Sequence, residues 1–164
     1  MPDITKELIA YLKEKPAVTD LIGVGAQARI YQELAKQSVV APFIVIETFQ
    51  GSSFECLNVA AGVAINRLQI NCYGMTADSA FELAEAVKLA PLQMYKGPMA
   101  GADCRGVVSD ASYRKGYDPA VAGGNQKRYW VARDYEIAYM EEVPEPPPTS
   151  GIGEMIISST FIVD

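Results

Sequence analysis

The stretch "GVAINRLQINCYG", residues 62–74, restricts the fold more than any other part of the chain. In extended backbone successive side chains point to opposite faces. Ala64, Leu68, Ile70 and Cys72 therefore share one side, and Arg67, Gln69 and Asn71 the other. One covered face and one wetter face is the pattern of an antiparallel sheet, because a parallel strand buried on both faces reads as continuously apolar. The chain must then supply antiparallel partners and something to cover the apolar side.

Partners are legible on both sides of this strand. "APFIVIETFQG" is β-branched and aromatic from Phe43 to Phe49, with Pro42 at its first position and Gly51 ending it. A short β segment precedes it at Arg29 to Gln32. Two further strands run roughly from Cys104 to Arg114 and from Arg128 to Met140, joined by the turn-rich "GYDPAVAGGNQK". In the last strand Tyr129, Val131, Tyr135, Ile137 and Tyr139 share a face, with Trp130, Asp134 and Glu136 opposite. The stretch "PLQMYKGPMAGAD", residues 91–103, is Gly/Pro-rich and reads as a long loop.

Helices supply the cover. "DITKELIAYLKEK" has Asp3 as N-cap and Ile4, Leu8 and Leu12, with Ile9 beside them, at helical spacing. "PAVTDLIG" opens with Pro16, offers Val18, Leu21 and Ile22 to the same core and stops at Gly23. In "TADSAFELAEAVKLAP" Thr76 caps a second helix whose stripe is Ala80, Leu83, Ala84 and Val87. The expected fold class is α+β: a mainly antiparallel β-sheet with two helices packed on one face, plus a C-terminal extended arm. Residues 1–142 form the domain, 143–150 a Pro-rich linker and 151–164 the arm.

The chain's 164 residues suit one domain with an appendage. Charge is informative once divided. Residues 1–140 hold 15 acidic and 14 basic side chains, net −1, whereas 141–164 hold Glu141, Glu142, Glu145, Glu154 and Asp164 and no base. A nearly neutral body lacks the basic stripe of a nucleic-acid binder. The N-terminus has early acids and no small-residue cleavage site, so it does not read as a signal peptide, and no apolar run approaches the ~20 residues of a membrane span. Cys56, Cys72 and Cys104 are isolated and read as reduced small hydrophobes of a cytosolic chain.

Catalytic chemistry finds little support. The chain has no histidine, which removes the usual general base and the commonest metal ligand. Gly23-Val24-Gly25-Ala26-Gln27-Ala28 matches the spacing of a dinucleotide fingerprint, but a helix precedes it and a β segment follows, the reverse of the required order. It reads as a helix C-cap and turn. Glu82 and Glu85 fall on the polar side of their helix, where Glu85 can pair with Lys88. Asp134 and Glu136 share a strand face that is wet or meets a partner. Trp130, on that face, is either covered by the strand partner at 104–114 or the long loop, or serves as an interface anchor. No catalytic residue, metal ligand or cofactor is expected.

In order, "AVTDLIG", "ARIYQ", "PFIVIETF", "INRLQINCYGMTADSAFELAEAV", "GYDP" and "RYWVARDYEIAY" resemble the tail-completion (tail-terminator, head–tail joining) family of long-tailed bacteriophages over residues 16–140. The resemblance implies structural work rather than catalysis. Such proteins are similar to one another in forming a hexameric ring at the head-proximal end of the tail tube, where they stop tube growth and face the head-side connector. The implied partners are further copies of the chain, the tail tube protein and the connector or stopper protein. DNA crosses the channel without sequence-specific binding, and no membrane is involved. The implied location is the virion tail or neck, after assembly in the host cytoplasm. Arg67, Gln69, Asn71 and Trp130 are candidates for an interface or channel face. Another connector ring of the same neck, or a stand-alone peptide- or ligand-binding module, stays open as an alternative.

Family members often end soon after the equivalent of "DYEIAY", but this chain adds "MEEVPEPPPTSGIGEMIISSTFIVD". Its four prolines in 144–150 favour an extended polyproline segment spanning roughly 20 Å. Beyond it Met155, Ile157, Phe161 and Val163 alternate on one side, with Ile156 and Ile162 on the other. Ordering nine residues costs more backbone entropy than these side chains return by burial, so the arm needs a backbone ladder against an existing sheet edge. Strand addition supplies it. The expected acceptor is another subunit, either the next protomer of the ring or a tail-tube or connector protein, with pairing onto the chain's own sheet as the rival.

Overall fold

The computed structural model describes residues 3–35, 38–56, 59–92, 95–109, 113–118 and 128–140, with 50–56, 59–61, 91–92 and 109 described by backbone alone. Helix α1 (Ile4–Lys13) begins where Asp3 accepts hydrogen bonds from the backbone N–H groups of Thr5 (3.1 Å) and Lys6 (3.4 Å). Its buried side is Ile4, Leu8, Tyr11 and Leu12, while Ile9 stays half-exposed. Helix α2 (Pro16–Ile22) is separate from α1, so among the described residues three α-helices stand where two were expected. A residue before proline is pushed out of the helical region, and Lys15 is extended at φ −95° and ψ 111°.

Gly23 ends α2 with φ +96°, a conformation that suits glycine, and a short 3₁₀ turn follows at Gly25–Gln27. The glycine motif is thus a cap and a turn between a helix and a strand, as its order implied.

The sheet comprises β1 (Ile30–Gln32), β2 (Phe43–Cys56), β3 (Val59–Gly74), β4 (Gly97–Met99), β5 (Ala102–Ser109), β6 (Arg114–Asp118) and β7 (Arg128–Met140). Its order is β1-β2-β3-β7-β5-β4, with β6 also on β7. Every pairing is antiparallel except β1 with β2. β3 occupies one side of β7 over its whole length. β5 and β6 share the other side, β5 opposite residues 135–139 and β6 opposite 128–132. The β2–β3 hairpin outruns the sheet: β7 pairs β3 only as far as Met140 with Val63, while β2 and β3 stay paired to Cys56 and Val59.

Helix α3 (Ala77–Val87) is capped reciprocally, Ser79 N–H donating to the Thr76 hydroxyl and Thr76 N–H to the Ser79 hydroxyl, each at 3.1 Å. Its Ala80, Leu83, Ala84 and Val87 join α1, α2 and the inward residues of the sheet, such as Ile44, Leu68, Ile70 and Tyr135, in one core. Among the described residues no helix is long and apolar enough to cross a membrane.

Two expectations need correction. Residues 91–103 are not one long loop. A wide π-type turn at Lys88–Leu92 leads to β4 and the start of β5, because Met99 and Ala102 are buried and Tyr95 packs on Tyr11 with ring centroids 4.9 Å apart. The Gly101 N–H donates to the Glu7 carboxylate of α1, tying this segment to the helix layer. The strand expected from Cys104 to Arg114 is two strands, and Arg114 opens the second.

Candidate interface on the outward sheet face

Register places the outward side chains of the sheet in rows. Phe43, Tyr73, Trp130 and Gly116 lie opposite one another across β2, β3, β7 and β6. Val45, Asn71, Ala132 and Arg114 form the next row, and Glu47, Gln69 and Asp134 the third. Arg67 follows, opposite Glu136 of β7.

This face was expected to be wet or to meet a partner, and at its centre the polar side chains bury one another. Gln69 and Asn71 are only 7% and 6% exposed, because the polar side chains cover one another. Asp134 accepts from Gln69 Nε2 (2.9 Å), Arg67 Nη2 (2.9 Å) and Arg114 Nη2 (3.1 Å). Beside it Asn71 Nδ2 donates to Glu47 Oε1 at 3.1 Å. Burial by itself would raise the Asp134 pKa. Hydrogen bonds from Gln69 and Arg67, with the charges of Arg114 and Arg67, outweigh burial and hold it below the ordinary value. More than half of each arginine side chain remains exposed, so the anchored guanidinium groups form the outer surface.

The other end of the face is aromatic. Phe43 stacks on Tyr73 (4.5 Å between centroids), meets Tyr31 edge-on (6.2 Å) and lies 5.5 Å from the Arg128 guanidinium. With Ala41 and Val45 it makes a small second core, closed by Tyr31, Ala35 and Val39. Trp130 is half-buried and lies over Gly116, where an added Cβ would come within 2.2 Å of the indole. Its cover is β6. Arg67, Gln69, Asn71 and Trp130 thus lie on one face of adjoining strands, the first three within one hydrogen-bonded patch and Trp130 in the aromatic row. The arm residues Met155, Ile156, Ile157, Phe161, Ile162 and Val163 lie outside the described residues.

Arg133 escaped the sequence reading. It occupies an inward position of β7 between Val131 and Tyr135, is 5% exposed, and pairs with Glu85 of α3. Its guanidinium also sits 5.0 Å from the Tyr113 ring. Glu85 therefore reaches across to the sheet rather than along its helix to Lys88. Alternation carries the signal: Arg133 is the one charged residue on the apolar side of β7, and Glu85 borders the stripe of α3. Burial pushes the neighbouring Cys72 thiol up to about 12, with Arg133 opposing the shift. Among the described residues no group of histidine, cysteine or carboxylate side chains could hold a metal ion.

The fold recurs in phage-like particles. A chain of the virion of a native gene transfer agent (GTA) particle is similar with a TM-score of 0.54 and 12% sequence identity, over 80% of this chain and 91% of that one. The comparison with curated proteins gives no match. Residues 6–94, more than half of the chain, match the family model of tail completion protein gp17 and run from α1 through α3. With most of α1, all of α2 and α3, the Thr76-capped turn and the outward Arg67, Gln69 and Asn71 inside that match, the chain belongs to the tail completion protein gp17 family, whose members are phage tail structural proteins.

Proposed function

We propose that this protein is a ring-forming tail terminator: it closes the head-proximal end of the tail tube, joins it to the head-side connector and lets DNA pass through its centre. The observation that carries the reading is membership of the tail completion family over residues 6–94. The outward sheet face suits such a role. Its polar groups are already hydrogen-bonded to one another, so docking fixes few additional rotamers. Its charges are balanced locally around Asp134, and a body of net −1 exerts no strong pull on a DNA backbone. The protein carries out no chemistry and needs no cofactor.

In this reading six copies close the ring, in the neck of the virion, after assembly in the host cytoplasm. Arg67, Gln69, Asn71 and Trp130 face a neighbour or the channel. Residues 143–150 carry the arm outward, and Met155, Ile156, Ile157, Phe161, Ile162 and Val163 add as a strand to an adjoining subunit. Native mass over a concentration series tests both parts. The full chain should give a sixfold assembly that is lost when the chain is cut after Glu142. Monomers from both chains would remove the self-assembling ring, and sixfold rings from both would remove the role of the arm.

A further inference from the structure

Among the described residues the helix side of the sheet is incompletely covered at one corner. Between the first turns of α3 and the β6–β7 hairpin lies an open groove of about 390 Å³, walled by Phe81, Tyr113, Tyr117 and Tyr129. Phe81 is 41% exposed, Tyr113 42% and Tyr117 45%, a concentration of accessible aromatic surface that monomers seldom leave bare. The rings are already arranged, Phe81 against Tyr113 at 5.8 Å and Tyr117 against Tyr129 at 5.3 Å between centroids. The same corner holds an open strand edge. β6 pairs with β7, and among the described residues no strand pairs with its other side.

We propose that this corner is the acceptor for the C-terminal arm of a second copy of the chain, which adds as a strand to the free edge of β6 and sets alternate side chains into the aromatic groove. The inference rests on the arm-exchange reading above and names its docking site. Dimensions agree: Ile157 and Phe161 are four residues apart on one side of a strand, about 13–14 Å, which is also the length of β6 from Arg114 to Asp118. Small Ser159 falls between them on that side. The 24 residues after Met140 carry five acids and no base, and the charged residues that line the groove are Lys115 and Asp78.

A second copy fits better than the chain's own tail. β7 ends at Met140 opposite Val63, whereas β6 lies along residues 128–132, so the chain leaves the sheet pointing away from the groove. Returning would mean reversing within 141–143 and retracing about 34 Å with a segment stiffened by Pro144, Pro146, Pro147 and Pro148.

The test mixes full-length chain carrying p-benzoylphenylalanine at Phe161 with isotope-heavy unmodified full-length chain, then irradiates and maps the cross-links by mass. Links from position 161 to heavy peptides holding residues 77–81 or 113–118 are expected. Links to those peptides only in the light chain's own copy would overturn the second-copy assignment. Links between copies at other places would overturn the groove while arm exchange stands. No links between copies would overturn both.

Discussion

Asp134 shows how one carboxylate organises a surface. Three donors from two strands, β3 and β6, converge on it, two of them guanidinium groups that are otherwise largely exposed. Charge-assisted bonds of this kind are worth roughly 1.5–3 kcal/mol when a partner is removed. Asp134→Asn should therefore destabilise the protein by about 2 kcal/mol at pH 7, measured by chemical denaturation. The sign with pH follows from the lowered pKa. Stability from Asp134 is fully present above the unfolded aspartate range and disappears as pH falls through the still lower folded value. The gap between the two proteins should narrow below about pH 4. A gap independent of pH would mean that the carboxylate charge contributes nothing.

At the level of elements, the β6–β7 hairpin depends on a glycine. Gly116 lies directly opposite Trp130, and the indole occupies the space that a side chain on β6 would need. Gly116→Ala should force the indole off its site, with the roughly 1–3 kcal/mol cost of overpacking. The expected readings are a lower melting temperature and a changed tryptophan emission. An unchanged melting temperature would show that the indole shifts without penalty. Arg133 performs a related task between layers. Its pairing with Glu85 links β7 to α3 through the core, where most contacts are apolar and less directional.

For the molecule as a whole, the described residues build one main core and one small one. Every residue of the main cluster lies between Ile4 and Tyr139, and the helices, the sheet and the second small core close on one another. A chain cut after Glu142 should therefore keep a melting temperature within a few degrees of the full chain, since each kcal/mol corresponds to roughly 2–4 °C at this size. A loss of cooperative unfolding would mean that the arm pairs with its own sheet as part of the fold. The cut also removes Glu145, Glu154 and Asp164, three of the acids behind the formal charge of −6.

Local chemistry was enough to place many of these features from the residues alone. Alternation set the faces of β3 and β7, Asp3 and Thr76 marked two helix starts, and Gly23 ended a helix because few other residues adopt its φ. The six ordered motifs carried the family resemblance, since they preserve the succession of those elements. What depends on distant partners could not be read so. Met99 and Ala102 turn a Gly/Pro-rich stretch into strand because α1 waits beneath it, and Gln69 and Asn71 are buried because Asp134 and Glu47 arrive from other strands. Glu85 finds Arg133 rather than Lys88 for the same reason: spacing along a chain lists the neighbours a side chain could have, and only the packing of one strand or helix against another decides which it takes.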